Sequence, residues 1–333
     1  MQQKQILNAT GNTIDNIEQE QIKMDNQIKE VLSCKPILAV IFSEVVVECK
    51  GMSTEEIINC IEGDVKIEQE PILPTEKITG NSQEDFQLGE GMIRYDIKTY
   101  LRLPISDKPS SIKIIVDIEA QKNDSPGYDI VTRGIFYCCR MVSAQLNTEF
   151  SLKSDDSKKY DNIKKVYSIW ICTETPNYKK NTIEKYSITK EMLYGESSKD
   201  NRYDLMTVIV VNIGKIHDDT DTESRLLNVL NTLTDEKLTA SVKIQALKKE
   251  NVAVTEELIK EVESMTSYTA GLIKKYQTEG RAEGRAEGMA KGEAKLLQLI
   301  CKLYEQNRSD EVLKATTDAS FRKKLYEEFN LDN

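Results

Sequence analysis

Alternating apolar and polar positions in two neighbouring segments predict a pair of β-strands. Residues 93–101 place their apolar side chains on one face and Asp96 on the other. Residues 112–121 place Glu119 and Gln121 together, opposite a row of apolar side chains. Because a short proline-containing segment joins the two, we expect an antiparallel pair that brings Asp96 near Glu119 and Gln121.

The polar positions of this strand pair have two interpretations. The solvated face of an antiparallel sheet gives the same alternation. The second segment, however, is almost wholly apolar apart from Lys113, Asp117 and Glu119, which indicates burial on both faces. Buried acids need a partner, and Mg²⁺ commonly binds one or two carboxylates. Asp117 shares the face of Glu119 and would be an extra ligand or, as we expect, a helix-end or solvent contact.

The rest of the chain mixes helical and strand patterns. Ser33 is a candidate cap for a first helix that ends at Gly51, and Ser53 with Glu56 forms a capping box for a second that ends at Gly63. Further predicted elements are a helix over 128–147, strands over 166–172, 182–188 and 205–211, and helices from residue 222 onward. This order predicts an α/β fold with a helical C-terminal extension.

Four regions follow from these patterns. We expect a flexible or loosely helical N-terminal arm over 1–30, a core over 31–215, a helical extension over 222–276 and a glycine-repeat region with C-terminal helices over 277–333. Glycine recurs every fourth residue within the last region, at Gly280, Gly284, Gly288 and Gly292. On a helix these glycines form one strip, and each costs about 1 kcal/mol relative to alanine. Either the strip packs against a second helix, from the same chain or a partner chain, or it is a fraying low-complexity tail. We expect a homodimer that assembles through 276–304.

Composition narrows the classes of function. The formal net charge is −10, which argues against a passive nucleic-acid binder but leaves room for an enzyme with a local basic patch. No run of 18 apolar residues exists, so we expect no membrane segment. Seven cysteines without a C-x-x-C pair favour free thiols and a cytoplasmic location. The only histidine, His217, gives little support for a histidine triad, a zinc hydrolase or an HNH-type nuclease.

One stretch of the chain resembles a known bacterial group. The residues that carry the resemblance are Ile118–Lys122, Pro126–Tyr137 and Arg140–Gln145, extended backward through Lys35–Ala39, Glu48 and Ile61–Gly63 and forward through Val166–Cys172, Tyr203–Met206 and the Glu-Gly-Arg-Ala repeat. They are similar to the PD-(D/E)XK nuclease superfamily, in particular to its recombination-promoting, transposase-related nucleases. The resemblance covers roughly residues 30–295. It implies a restriction-endonuclease-like core, in which a mixed sheet is flanked by helices.

The resemblance also implies a set of site residues. Asp96 and Glu119 would bind Mg²⁺ or Mn²⁺, and Gln121 would stand where lysine is usual. Glu48 would be the helical glutamate beside the site. Glutamine can orient a water molecule but cannot offset phosphate charge. Lys98, on the face of Asp96, is one candidate source of positive charge, and Lys122 is another only if the strand ends or bulges there.

The helix after the second strand offers candidate substrate contacts. Arg133, Tyr137 and Arg140 recur at helical spacing and share a face, with Tyr128 at the start of the helix. Arginine can contact a phosphate with two hydrogen bonds, but a structural pairing with an acid such as Asp129 fits the spacing equally well.

Two functions are therefore expected. The first is a metal-dependent DNA endonuclease that acts in recombination or on mobile elements. The alternative is a catalytically inactive protein that keeps the nuclease fold and assembles through its C-terminal helices. The retained Asp96, Glu119 and Gln121 favour the enzyme, whereas the acidic balance and the missing lysine favour the alternative.

Overall fold

The computed structural model of the protein describes residues 19–20, 22–63, 84–87, 91–105, 108–123, 127–146, 149, 159–196, 202–214 and 222–331. The predictions for residues 1–18, for most of the segment between the second helix and residue 91, and for the loop of His217 lie outside these ranges. The chain divides into two compact units, Met1–Thr269 and Ala270–Asn333.

The helices and strands follow the predicted alternation. The helices are α1 (22–33), α2 (Lys35–Val45), α3 (Thr54–Cys60), α4 (Ile130–Ser143), α5 (Arg225–Thr234), α6 (Ala240–Lys249), α7 (Glu256–Glu305), α8 (Val312–Thr317) and α9 (Ala319–Glu328). The strands are β1 (Glu84–Gln87), β2 (Gly91–Arg94), β3 (Ile97–Ile105), β4 (Lys108–Asn123), β5 (Lys165–Glu174), β6 (Thr182–Ser187) and β7 (Met206–Asn212). None of the described helices is both long and apolar enough to cross a bilayer.

The first unit is built on a mixed sheet of five strands in the order β3-β4-β5-β7-β6. The three central strands β4, β5 and β7 run parallel, and the edge strands β3 and β6 pair antiparallel to them. Strands β1 and β2 form a separate antiparallel pair. The protein is thus α/β, as the pattern predicts, and its mixed sheet is flanked by helices, as the resemblance implies. The antiparallel pairing of β3 with β4 is confirmed.

The two faces of the sheet are covered differently. One face packs against α2, α3, α5 and the first part of α7, and α2 is buried almost all round because it lies in the middle of this layer. The other face packs against α4. Strand β4 is buried on both faces. On the face covered by α2 its buried residues are Ile114, Val116 and Ile118. On the face covered by α4 they are Ile115, Asp117 and Glu119. The interpretation of this strand as doubly buried is confirmed.

Helix α4 approaches the sheet closely at Gly134. A Cβ atom at this position would lie 2.6 Å from Cγ1 of Val208 and 2.9 Å from Nε1 of Trp170. Only glycine therefore allows this approach, which places the next turns of α4 directly over the strands. Asp129 caps the helix by accepting a hydrogen bond from the backbone of Val131.

The structure changes three local predictions. The helix expected to end at Gly51 ends at Val45 and is followed by a separate 3₁₀ turn, Val47–Cys49. Ser33 does not cap α2, since its hydroxyl donates to the carbonyl of Glu30 at the end of α1. The strand predicted over 93–101 is interrupted, because the chain bends at Asp96 between β2 and β3. As a result Tyr95 leaves the face of Ile97 and packs in the α4 core. The capping box of Ser53 and Glu56 is confirmed at the start of α3.

The second unit consists of the rest of α7 with α8 and α9. Its small core contains Leu299, Leu303, Ala315, Leu325 and Phe329. The side chains of residues 279–294 are exposed, and a Cβ at any of the four repeat glycines would meet no atom within 4 Å. The strip that these glycines form on α7 therefore has no packing partner among the described residues of the chain.

Candidate active site

The carboxylates of Asp96 and Glu119 each accept a hydrogen bond from a backbone amide on the other's strand segment. The amide of Asp96 donates to Oε1 of Glu119 at 3.0 Å, and the amide of Ala120 donates to Oδ2 of Asp96 at 3.1 Å. The register of β3 with β4 explains this contact. Ile97 pairs with Ile118, so the residue just before β3, Asp96, lies opposite the next residue on β4, Glu119. The structure thus brings the two predicted carboxylates together at the end of β4.

A third carboxyl group, that of Asp117, lies beneath them. It is fully buried between Lys98 on β3 and Ser168 on β5, which are both in register with it. Ser168 donates a hydrogen bond of 3.0 Å to its Oδ2, and Trp170 donates one of 3.0 Å to Ser168. No fixed donor among the described residues reaches its Oδ1. The expected solvent or helix-end contact of Asp117 is therefore wrong.

Burial and mutual repulsion favour a proton in this cluster. Burial raises the pKa of Asp117 to about 7, and the negative charge of Asp96 adds to the effect. The pKa of Glu119, which is 6 % exposed, is raised well above its usual value by burial and by the charges of Asp117 and Asp96. Protonated Glu119 becomes a donor to Asp117, so the two carboxyl groups can share one proton.

Lys29 is the ion partner of Asp96. Its Nζ lies 2.6 Å from Oδ1 of Asp96, and the two side chains are only about one-fifth exposed. The lysine comes from α1, at the end of the region that the sequence assigns to the N-terminal arm. Sequence reasoning missed this contact because no local spacing connects residue 29 with residue 96.

Arg133 and three aromatic rings form the wall beside Glu119. The guanidinium lies over the rings of Tyr128, Tyr137 and Trp170, with centroid distances of 4.8, 5.1 and 5.4 Å. It donates to the hydroxyls of both tyrosines. Burial lowers the pKa of Arg133, but its hydrogen bond to Tyr137 outweighs this and raises it. Arg133 is therefore a fixed cation at the site and does not pair with Asp129.

Gln121 joins the same group of side chains. Its Oε1 accepts a hydrogen bond of 3.4 Å from the hydroxyl of Tyr128, which in turn contacts Arg133. Lys98 lies on β3 with its Nζ 4.7 Å from the ring centroid of Tyr95, and its charge lowers the pKa of Asp117. The side chain of Lys122 lies outside the described part of the structure.

Glu48 is not brought to this site. It lies in a short 3₁₀ helix, Val47–Cys49, and its carboxylate binds Nζ of Lys165 at 2.8 Å and the hydroxyl of Tyr167 at 2.7 Å. Tyr167 belongs to the core on the opposite face of the sheet. Lys165 pairs with Ile114, five residues before Glu119, or about 16 Å along the strand. The structure therefore gives Glu48 a role in anchoring α2 to β5.

Arg140 is also placed away from solvent. It is 2 % exposed near the end of α4, two turns beyond Arg133. A guanidinium at that depth is not accessible to a phosphate group in this structure. Of the predicted substrate contacts, the structure brings Tyr128, Arg133 and Tyr137 to the carboxylates and leaves Arg140 in the core.

The donor set suits a hard cation with few protein ligands. Within the described part of the chain no three His, Cys, Asp or Glu side chains converge as a metal-binding group. Mg²⁺ is commonly held by one or two carboxylates together with water and substrate oxygens. Asp96 and Glu119 are two carboxylates of this kind, and the buried Oδ1 of Asp117 beside them has no fixed donor among the described residues.

Comparisons of the chain with protein-family models, with curated proteins and with solved structures find no match.

Proposed function

We propose that the protein is a metal-dependent DNA endonuclease with a restriction-endonuclease-like core, acting in recombination or on mobile elements. The observation that carries the proposal is the Asp96–Glu119 pair, which is locked by reciprocal backbone hydrogen bonds at the end of a central strand. The resemblance of the surrounding sequence to PD-(D/E)XK nucleases of the recombination-promoting group supports the same assignment.

In this proposal each side chain of the site has a distinct task. Asp96 and Glu119 would hold Mg²⁺ or Mn²⁺, which when bound polarises the phosphate and lowers the pKa of an attacking water. Gln121 would orient that water through its amide. Arg133 would bind a phosphate oxygen, since its position over three aromatic rings keeps the guanidinium beside Glu119.

The test is cleavage of supercoiled plasmid DNA by the purified full chain. We expect nicked and linear products with Mg²⁺ or Mn²⁺ and none with EDTA. A linear single-stranded substrate and an RNA hairpin, assayed in parallel, define the nucleic acid. Absence of any divalent-ion-dependent product on all three substrates would overturn the proposal.

Replacing Arg133 should weaken DNA binding and its dependence on salt. For Arg133→Gln we expect DNA affinity to fall and the slope of log K against log salt to become shallower by about 1, because one phosphate contact is lost. Fluorescence anisotropy at several salt concentrations, with Ca²⁺ in place of Mg²⁺, measures both. The control is Arg281→Gln, an exposed arginine of the repeat. An unchanged slope in folded Arg133→Gln contradicts the assignment.

The open glycine strip is the observation that favours the alternative, an inactive protein that assembles through its C-terminal helices. It also bears on the homodimer predicted through 276–304. In an isolated helix, Gly284→Ala with Gly288→Ala should add about 1 kcal/mol of stability per site, since no described residue of the chain lies within 4 Å of the new methyl groups. If the strip packs against a second copy, the same methyl groups hold the helices apart.

We therefore expect the Gly284→Ala, Gly288→Ala double variant to have a lower dimer fraction by sedimentation or light scattering. Gly271→Ala is the matched control, because it makes the same change in α7 at another exposed glycine. A dimer fraction that rises or stays constant in the double variant would remove the strip from the interface.

A further inference from the structure

The ion pair between Lys29 and Asp96 joins distant parts of the chain at the centre of the candidate site. The 2.6 Å contact is to Oδ1 of Asp96, whereas Oδ2 is used by the backbone of Ala120. Both oxygens of the carboxylate therefore have a partner within the protein. The side chain of Lys29 is only 20 % exposed, so solvent screens this pair less than a surface pair.

Helix α1 holds Lys29 in place. Ile28, Val31 and Leu32 on the same helix pack in the main core. Gln27 accepts a hydrogen bond of 2.7 Å from Ser264 in the first part of α7, within the same compact unit. The ammonium is thus presented by a packed helix, which means that its position beside Asp96 is set by the fold.

The charges around Asp96 explain what the ammonium does there. Asp96 and Glu119 are joined by reciprocal backbone hydrogen bonds, Asp117 lies next to Glu119, and the ammonium of Lys29 is in direct contact with Asp96. A divalent ion that binds the same carboxylate would lie within a few ångströms of the ammonium and be repelled by it. Two like charges about 4 Å apart in a partly buried site repel strongly enough to change an affinity by tenfold or more.

We propose that Lys29 is a built-in competitor for the divalent ion, a positioning residue that lowers the affinity of Asp96 and Glu119 for the metal. This inference rests on the proposed function for the identity of the ion. In the apo protein the ammonium neutralises Asp96 and keeps its carboxylate oriented. When a divalent ion binds, the lysine must give up its contact with Oδ1, so the ion pair sets the concentration of metal that the site requires.

The test is isothermal titration of the full chain with Mn²⁺, without DNA, so that the readout is binding and not cleavage. We expect Lys29→Met to bind Mn²⁺ about tenfold or more tightly than wild type, because the aliphatic stem is kept and the charge is removed. Lys29→Arg keeps the charge and should bind like wild type. Lys23→Met, at an exposed lysine of the same helix, should also be unchanged.

The possible results separate this inference from the proposed function. Equal or weaker Mn²⁺ binding by folded Lys29→Met, with wild-type binding intact, overturns the inference alone. Weaker Mn²⁺ binding by Lys29→Met in particular would mean that Lys29 only stabilises the structure of the site. If neither wild type nor any variant binds Mn²⁺, both the inference and the proposed metal site fail. Should Lys29→Met not fold, Lys29→Gln under the same titration gives the decisive comparison, and tightening is again the supporting result.

Discussion

Asp96→Asn and Glu119→Gln should each reduce Mg²⁺-dependent DNA cleavage by about 10³-fold or more. A bound metal contributes several kcal/mol of transition-state stabilisation, and about 4 kcal/mol corresponds to 10³ in rate. The amide substitutions remove the charge but keep an oxygen that can accept the hydrogen bonds from Ala120 and from the amide of Asp96. We therefore expect the fold to persist, which circular dichroism and the melting temperature can verify.

Glu48→Gln is the informative control for that experiment. The resemblance assigns Glu48 to the active site, but the structure binds it to Lys165 and Tyr167 on the other face of the sheet. We expect this variant to keep its cleavage rate and to melt at a lower temperature. A rate loss comparable with that of Glu119→Gln would restore Glu48 to the catalytic group, whereas full activity in Asp96→Asn would place the chemistry elsewhere.

Asp117→Asn should make the protein more stable than wild type at pH 8. Asp117 is fully buried, and its pKa is raised from an ordinary value near 4 to about 7 in the folded state. Each unit of such a shift corresponds to roughly 1.4 kcal/mol, so the expected effect on unfolding is a few kcal/mol. An asparagine has the same shape, carries no charge and can donate to the neighbouring carboxyl group of Glu119.

The direction of the pH dependence follows from proton binding. Between about pH 4 and pH 7 the folded state keeps a proton on Asp117 that the unfolded state has released, so the free energy of unfolding falls as pH rises. This contribution is fully present below pH 4 and is lost as pH rises through about 7. Glu119 has a raised pKa as well and acts in the same direction.

Denaturant titrations of wild type and Asp117→Asn at pH 5.5, 7 and 8 measure this effect. We expect the free energy of unfolding of wild type to fall from pH 5.5 to pH 8, and that of Asp117→Asn to change less. Asp204→Asn is the control, because a hydrogen bond to Lys165 lowers the pKa of Asp204 and its titration is complete below pH 5.5. An equal pH dependence in wild type and Asp117→Asn would mean that the buried carboxyl group is ionised throughout.

The spacing of apolar residues in the sequence was sufficient to predict most of the helices and strands. The strands around Ile169 and Val208 were predictable because β-branched and aromatic residues fill both faces of a buried parallel strand. The capping box at Ser53 depends only on residues three apart. The interruption at Asp96 could not be predicted, since a bend between two strands leaves the apolar alternation of the sequence intact and changes only which face each residue occupies.

The site was predictable where it depends on one strand pair and unpredictable where it depends on tertiary contacts. Asp96 and Glu119 lie together because strand pairing is local in the sequence. Lys29 reaches Asp96 only through the packing of α1, and Ser168 reaches Asp117 only through the parallel pairing of β4 with β5. The burial of Arg140 likewise depends on how closely α4 approaches the sheet, which no helical periodicity specifies.

The chain of hydrogen bonds from Trp170 through Ser168 to Asp117 gives the protein an intrinsic optical reporter. Trp170 is the only tryptophan in the sequence, and its indole ring also lies under the guanidinium of Arg133. Emission excited at the red edge of the absorption band therefore comes from one fluorophore, which contacts Arg133 directly and Asp117 through Ser168. Protonation of Asp117 or the arrival of an ion at its neighbours changes the field on that indole, so the state of the site can be followed without any added label.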